Sequence, residues 1–144
     1  MKGKGKILTM VLAALMTATI FASVLAANSD GQSTGYKPDM VVKDIWVTKH
    51  LSKWRVHADV KNIGPVYAGA QWTYFYKDYK ESGEECLGNW YHALGFRPGI
   101  TKYPYTPKFS MSGTQEINVI ADFFDQVDES DETNNMRTEY ITFS

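Results

Sequence analysis

Lys53-Trp-Arg-Val-His-Ala-Asp-Val-Lys-Asn62 alternates without a break. In an extended chain, Trp54, Val56, Ala58 and Val60 fall on one side and Arg55, His57, Asp59 and Lys61 on the other. One apolar and one solvated face is what an antiparallel strand at a protein surface requires. Asn62-Ile-Gly-Pro65 then supplies turn chemistry. Downstream, Ala70 to Lys77 sets Trp72, Tyr74 and Tyr76 against Gln71, Thr73 and Phe75, and Thr114 to Phe123 sets Ile117, Val119 and Ala121 against Glu116, Asn118 and Asp122. Upstream, Met40 to Thr48 is rich in Val, Ile and Trp and reads as the opening strand. A last strand falls at about Arg137 to Phe143, and weaker strands at Asn89 to Leu94 and Thr101 to Phe109. Pro104 and Pro107 confine the last of these to a sheet edge or leave it irregular.

No stretch of about ten residues beyond the N-terminus offers a helical apolar stripe. The fold class expected is all-β: an immunoglobulin-like antiparallel β-sandwich of about seven strands. Trp54, Val56, Ala58, Val60, Trp72, Tyr74, Ile117, Val119 and Ala121 are expected between its two sheets.

The N-terminus has a different grammar. Met1 to Lys6 holds three lysines and no acid, and Ile7 to Leu25 is uncharged and mostly apolar. Val24 and Ala26 stand where a signal peptidase reads small residues. Residues 1–26 are read as an export signal, 27–37 as a polar flexible tether and 38–144 as the folded domain. The other reading keeps the apolar run as a membrane anchor. No cysteine follows the signal, which argues against a lipid anchor. With the leader removed, 12 basic residues face 16 acidic ones, a net charge near −4 with no Lys-Arg run. Such a chain is a poor nucleic-acid binder. Cys86 is the only cysteine, so the domain folds without an internal disulfide. It is either an idle thiol or an intermolecular handle.

Two groups of side chains invite a functional reading. Asp122, Asp125, Asp128, Glu129, Asp131 and Glu132 place six carboxylates within 11 residues. One reading is a calcium site, with Asp122, Asp125, Asp128, Glu129 and Asp131 as ligands, although the spacing is not that of an EF-hand. The other is an acidic hairpin whose Asp side chains, with Asn134 and Asn135, cap turn backbone and whose remaining carboxylates face solvent. The second group is aromatic: Trp90, Tyr91, His92 and Phe96, followed by Tyr103 and Tyr105. It either stacks on a sugar or anchors a protein partner, or else fills the core and covers a sheet edge. His50, His57 and His92 show no paired metal-ligand spacing, and there is no nucleophile motif, phosphate loop or CxxC. No enzymatic activity and no cofactor are expected, calcium aside.

Pro38-Asp-Met-Val-Val-Lys-Asp-Ile45, the Asn62-Ile-Gly64 turn with Ala68-Gly69, and Arg97-Pro-Gly99 resemble successive landmarks of CARDB domains, the cell-adhesion-related domains of bacteria and archaea. The most specific landmark is Ala121-Asp-Phe-Phe-Asp-Gln-Val-Asp-Glu-Ser-Asp-Glu-Thr-Asn-Asn135, which resembles the family's last hairpin. Asp78 to Leu94 departs from the pattern in being longer and more aromatic. The resemblance implies a seven-stranded sandwich used for adhesion or spacing at a cell surface. The functional expectation is a secreted or cell-surface interaction module whose partner is a cell-surface protein or glycan. The alternative is a calcium- or carbohydrate-binding accessory module of an extracellular enzyme system.

Overall fold

The computed structural model describes residues 35–144. The signal and nearly all of the tether lie outside them. Seven strands form: β1 (Met40–His50), β2 (Lys53–Asn62), β3 (Gln71–Lys77), β4 (Glu85–His92), β5 (Thr101–Lys102), β6 (Gly113–Ile120) and β7 (Met136–Phe143). They make two antiparallel sheets, one ordered β1-β2-β5 and the other β4-β3-β6-β7. The fold is the expected all-β sandwich.

β2 behaves as its alternation requires. Val56, Ala58 and Val60 are fully buried, and Trp54 packs edge-on against Phe143, ring centroids 5.3 Å apart. Val42 and Ile45 of β1, Phe75 of β3, Ile117 and Val119 of β6 and Phe143 of β7 complete the core with Met40, Phe96, Ala121 and Val127. A register shift between Val42 and Asp44 lets β1 keep both Val42 and Ile45 inside despite their odd spacing. After the two-residue β5, Pro104 and Pro107 break the ladder as expected. The chain still follows the β2 edge, with Thr106 N–H donating to the Val56 carbonyl at 2.9 Å and Phe109 N–H to the Trp54 carbonyl at 2.9 Å.

The Asn62-x-Gly64 turn has a specific physical task. Asn62 is fully buried; its Oδ1 accepts Gly64 N–H at 3.0 Å and Asp39 N–H at 3.2 Å. Its amide donates to the carbonyls of Val66 at 2.7 Å and Phe96 at 3.2 Å, so every buried polar atom of the side chain is satisfied. A Cβ on Gly64 would sit 2.6 Å from the Lys37 carbonyl oxygen and the Asp39 nitrogen. Only glycine lets the incoming chain pass that close.

β3 corrects the expected register. Gln71, Thr73 and Phe75 are the fully buried residues, while Trp72, Tyr74 and Tyr76 stand on the outer face. Each polar inner side chain makes one buried bond: Gln71 Oε1 accepts Asp122 N–H at 2.8 Å, leaving its Nε2 without a partner, and Thr73 Oγ1 lies 2.9 Å from His92 Nε2. With those bonds made and Phe75 supplying apolar volume, the three large rings are displaced to the outside of the sheet. Since side chains alternate strictly, that choice moves all of them together.

Candidate functional site

The outer face of β3 is therefore a row of rings, Trp72, Tyr74 and Tyr76, carried on an inner strand of the four-stranded sheet. Tyr91 of β4 is the register partner of Trp72, with ring centroids 4.8 Å apart. The connection after β6 adds more. Asp122 turns into the left-handed region at φ 44°, and Phe123 N–H donates to the Trp72 carbonyl at 3.1 Å. Phe123 is thereby laid back over the sheet, stacked 4.3 Å from Tyr74 and 5.7 Å from Tyr76. Phe124 stands edge-on to both Tyr74 and Phe123, and Tyr79 leans on Tyr76 at 4.9 Å. The outermost rings are well exposed, Phe124 at 54% and Tyr91 at 48%.

A polar network borders the rings. Buried Asn118 donates to Glu116 Oε1 at 3.0 Å and Thr138 Oγ1 at 2.8 Å, and accepts Tyr79 N–H at 2.9 Å. Tyr140 donates its hydroxyl to Glu116 Oε2 at 2.8 Å. Burial first, then the neighbouring Cys86 and Glu84, pushes the Tyr76 hydroxyl up to about 12. It stays neutral and available as a hydrogen-bond donor.

The acidic connection between β6 and β7 is occupied with its own backbone. Asp122 is buried, and its Oδ2 accepts Val127 N–H at 2.7 Å. Glu129 is also buried: one carboxylate oxygen accepts Met40 N–H and the other accepts the Asn135 amide at 3.0 Å. Glu132 accepts Glu129 N–H at 2.8 Å, and Asp131 accepts both Thr133 N–H and its hydroxyl. Thr133 holds the Asp131 carboxyl below its usual value, while burial raises those of Asp122 and Glu129, the latter to about 7. Asp128 pairs with Lys37, Asn134 donates to Asp39 at 2.9 Å, and Ser130 N–H donates to the Pro38 carbonyl at 2.8 Å. The loop is a clasp on the start of β1. Asp125 lies exposed at a turn with φ 53°. Among the described residues no three His, Cys, Asp or Glu side chains converge as a metal site.

The aromatic candidates read from the sequence separate. Phe96 is fully buried and His92 is 3% exposed, its ring 4.6 Å from Phe96. Burial lowers the His92 pKa to about 4, so it is a neutral core imidazole. Trp90 leans on Tyr105 at 4.6 Å. Tyr91 alone of the four joins the outer ring cluster. Cys86 is unpaired and exposed on β4, beside Tyr76. The rings that sequence reasoning missed, Trp72, Tyr74, Tyr76, Phe123 and Phe124, were hidden by the inverted register of β3. The Phe123-Phe124 pair beyond the alternating part of β6 was the available signal.

Two antiparallel sheets of three and four strands define the class as an immunoglobulin-like β-sandwich, here with a cluster of rings outside the larger sheet. The particular family follows from comparison: the CARDB family model matches residues 37–139, and the chain belongs to that family, the cell adhesion related domain found in bacteria. CARDB domains are non-catalytic modules. Among solved structures the chain is similar to the CARDB domain of the PF1109 protein from Pyrococcus furiosus in complex with di-metal ions. That crystal structure is 23% identical, with a TM-score of 0.56 over 76% of this chain and 96% of that one. The solution NMR structure of the PF1109 domain gives 20% identity and a TM-score of 0.59 over 74% and 95%. No curated protein matches the chain.

Proposed function

We propose that the protein is an exported, non-catalytic adhesion module that docks a protein partner at the cell surface through the outer face of its β4-β3-β6-β7 sheet. The observation that carries this reading is the ring cluster of Trp72, Tyr74, Tyr76, Tyr79, Tyr91, Phe123 and Phe124, which no element of the domain covers. Aromatic side chains on a surface bring large contact area at small entropy cost, and they are enriched where binding energy concentrates. The packing of the rings favours a protein over a glycan. A sugar stacks on a free ring face, whereas Tyr74 and Phe123 spend theirs on each other. What remains outward is Phe124, the exposed part of Tyr91 and the Tyr76 to Tyr140 polar border, a rough apolar patch with a polar rim. The unpaired edge of β4 adjoins it and offers backbone groups for an added strand.

The di-metal complex of the Pyrococcus furiosus domain raises a cation at the acidic loop as a second reading. What weighs against it is that Glu129, Asp131 and Glu132 already hold backbone N–H groups of the domain. Calcium takes about six to eight oxygen ligands. The buried loop oxygens without a hydrogen-bond partner are Asp122 Oδ1, Asn134 Oδ1 and Asn135 Oδ1, and among the described residues no three carboxylates gather as a metal site. No function is routed through a metal.

The test is cross-linking from a photoreactive residue at position 124 on the envelope of the producing organism, followed by identification of the adduct. A protein adduct that disappears on Tyr91→Ala is expected. Adducts formed equally from position 61, on the opposite sheet, would refute the assignment.

A further inference from the structure

The sequence has no run of basic residues, yet the fold assembles one. At the β1–β2 hairpin the register sets Lys49 opposite Trp54, His50 opposite Lys53 and Thr48 opposite Arg55. The proline-broken segment after β5 then bridges to β2 at Trp54 and Phe109, which brings Lys108 alongside Arg55. Between hairpin and segment lies a cleft of about 280 Å³ lined by Lys49, His50, Lys53, Arg55, Lys108 and the Trp54 ring. No carboxylate lines it, and none of its cations takes part in a salt bridge among the described residues. Their contacts involve no acidic side chain, and Lys49 Nζ lies 4.9 Å over the Trp54 ring. Lys53 donates to the Ser110 hydroxyl at 2.8 Å, Lys49 to the Ser144 carbonyl, and the Arg55 guanidinium lies 4.4 Å over the Tyr105 ring. Arg55 Nε is buried with no hydrogen-bond partner, a donor the fold itself does not use.

Four of the 12 Lys and Arg side chains beyond the leader thus gather at one end of an acidic molecule. Holding them together costs mutual repulsion that no carboxylate side chain of the cleft offsets. The six carboxylates of the β6–β7 connection lie near Met40, the other end of β1, and do not screen the cleft.

We propose that this cleft is a binding site for an anionic saccharide: a sugar whose carboxylate, sulfate or phosphate ester is held by Lys53, Arg55 and Lys108 while its ring lies toward Trp54. The cleft is on the other sheet from the ring cluster and does not depend on that assignment. Its size suits one or two sugar units, and its apolar wall suits a ring. A nucleic-acid duplex would need a long basic track, and the net charge near −4 opposes one.

The test is native affinity electrophoresis of the full chain in gels containing polygalacturonate, dextran sulfate or neutral dextran. Retardation by one or both charged polymers and none by dextran is expected, with the preference naming the anionic group. The K53Q/K108Q variant should lose at least tenfold in affinity. K61Q/K80Q, with the same loss of charge elsewhere, should bind like the parent. Equal loss in both variants would show attraction to net charge and overturn the site. So would retardation by neutral dextran, no retardation by either charged polymer, or tighter binding to duplex DNA or to vesicles of anionic phospholipid than to either polysaccharide.

Discussion

The acidic loop after β6 and the ring cluster to which the neighbouring Phe123 and Phe124 belong spend their chemistry in opposite ways. Asp122, Glu129, Asp131 and Glu132 give carboxylate oxygens to backbone N–H groups of the domain itself. Phe124 and Tyr91, a few residues or one strand away, keep about half their surface outside. A group whose bonding capacity is consumed within the fold is structure, however functional its residue type looks in sequence. A group left with unspent surface is available to a partner. If that division is right, the loop carries stability and the rings carry binding, and each can be altered without the other.

The largest effect is expected from Glu129→Ala. It strands the Met40 N–H and the Asn135 amide in a buried setting, at about 1–3 kcal/mol for each unsatisfied group. Chemical denaturation should show a loss of about 2–6 kcal/mol. A loss below about 0.5 kcal/mol, the level of an ordinary surface change, would mean the carboxylate is not the clasp on β1 described above. Asp122→Ala should cost less, about 1–3 kcal/mol, because Asp122 retains one unpartnered oxygen even in the parent.

Titration sharpens the same contrast. Glu129 is protonated up to about 7 in the folded domain against 4.5 ordinarily, so it stabilises the fold at low pH and loses that contribution as pH rises through 7. His92 stays neutral down to about 4 against 6.5 ordinarily, so it stabilises above 6.5 and loses that contribution as pH falls toward 4. Between 4.5 and 6.5 the two slopes oppose, with lowered His57 on the side of His92 and raised Asp122 on the side of Glu129, so the parent's melting temperature should change less with pH than that of a variant without Glu129. Glu129→Gln removes the larger opposing group and leaves Asp122 against His92 and His57, so that variant should melt at progressively lower temperature as pH falls through the window. A variant profile parallel to the parent's would show that Glu129 does not titrate as its burial requires.

Much of the fold was legible because β2, β6 and the hairpin landmarks each state an unambiguous face. β3 was not. Gln71, Thr73 and Phe75 against Trp72, Tyr74 and Tyr76 is an alternation of two plausible faces, and hydrophobicity alone favours the wrong one. The decision rests on Asp122 N–H and His92, partners distant in sequence that bond Gln71 Oε1 and Thr73 Oγ1 once the sheet exists. The same gap hid the basic cleft, since Lys49, Lys53, Arg55 and Lys108 become neighbours only when the segment after β5 lies along β2. The acidic loop was visible as a unit, but whether it gathers or disperses its carboxylates depends on where Met40 and Asn135 stand.

The smaller effects concern the rings and calcium. Phe124→Ala removes an exposed ring and should cost less than about 1 kcal/mol, whereas Phe75→Ala in the core should cost about 3–5 kcal/mol. Comparable losses would mean that the cluster is a second core and not a reserved surface. Melting curves in calcium and in chelator at matched ionic strength should superimpose, since a ligand bound only to the folded state would raise the midpoint. A shift of several degrees would return the acidic loop to the binding side of the comparison.

The most direct test is binding of fluorescently labelled protein to cells of the producing organism, in 0.5 M salt so that the basic cleft is screened. Parent, Tyr91→Ala/Phe124→Ala and Asp125→Ala/Asp128→Ala proteins, each verified as folded by melting, are compared. The ring variant should bind at least tenfold more weakly while the acidic-loop variant binds like the parent. Undiminished binding by the ring variant, or loss confined to the acidic-loop variant, would contradict the assignment of recognition to the outer face of the four-stranded sheet.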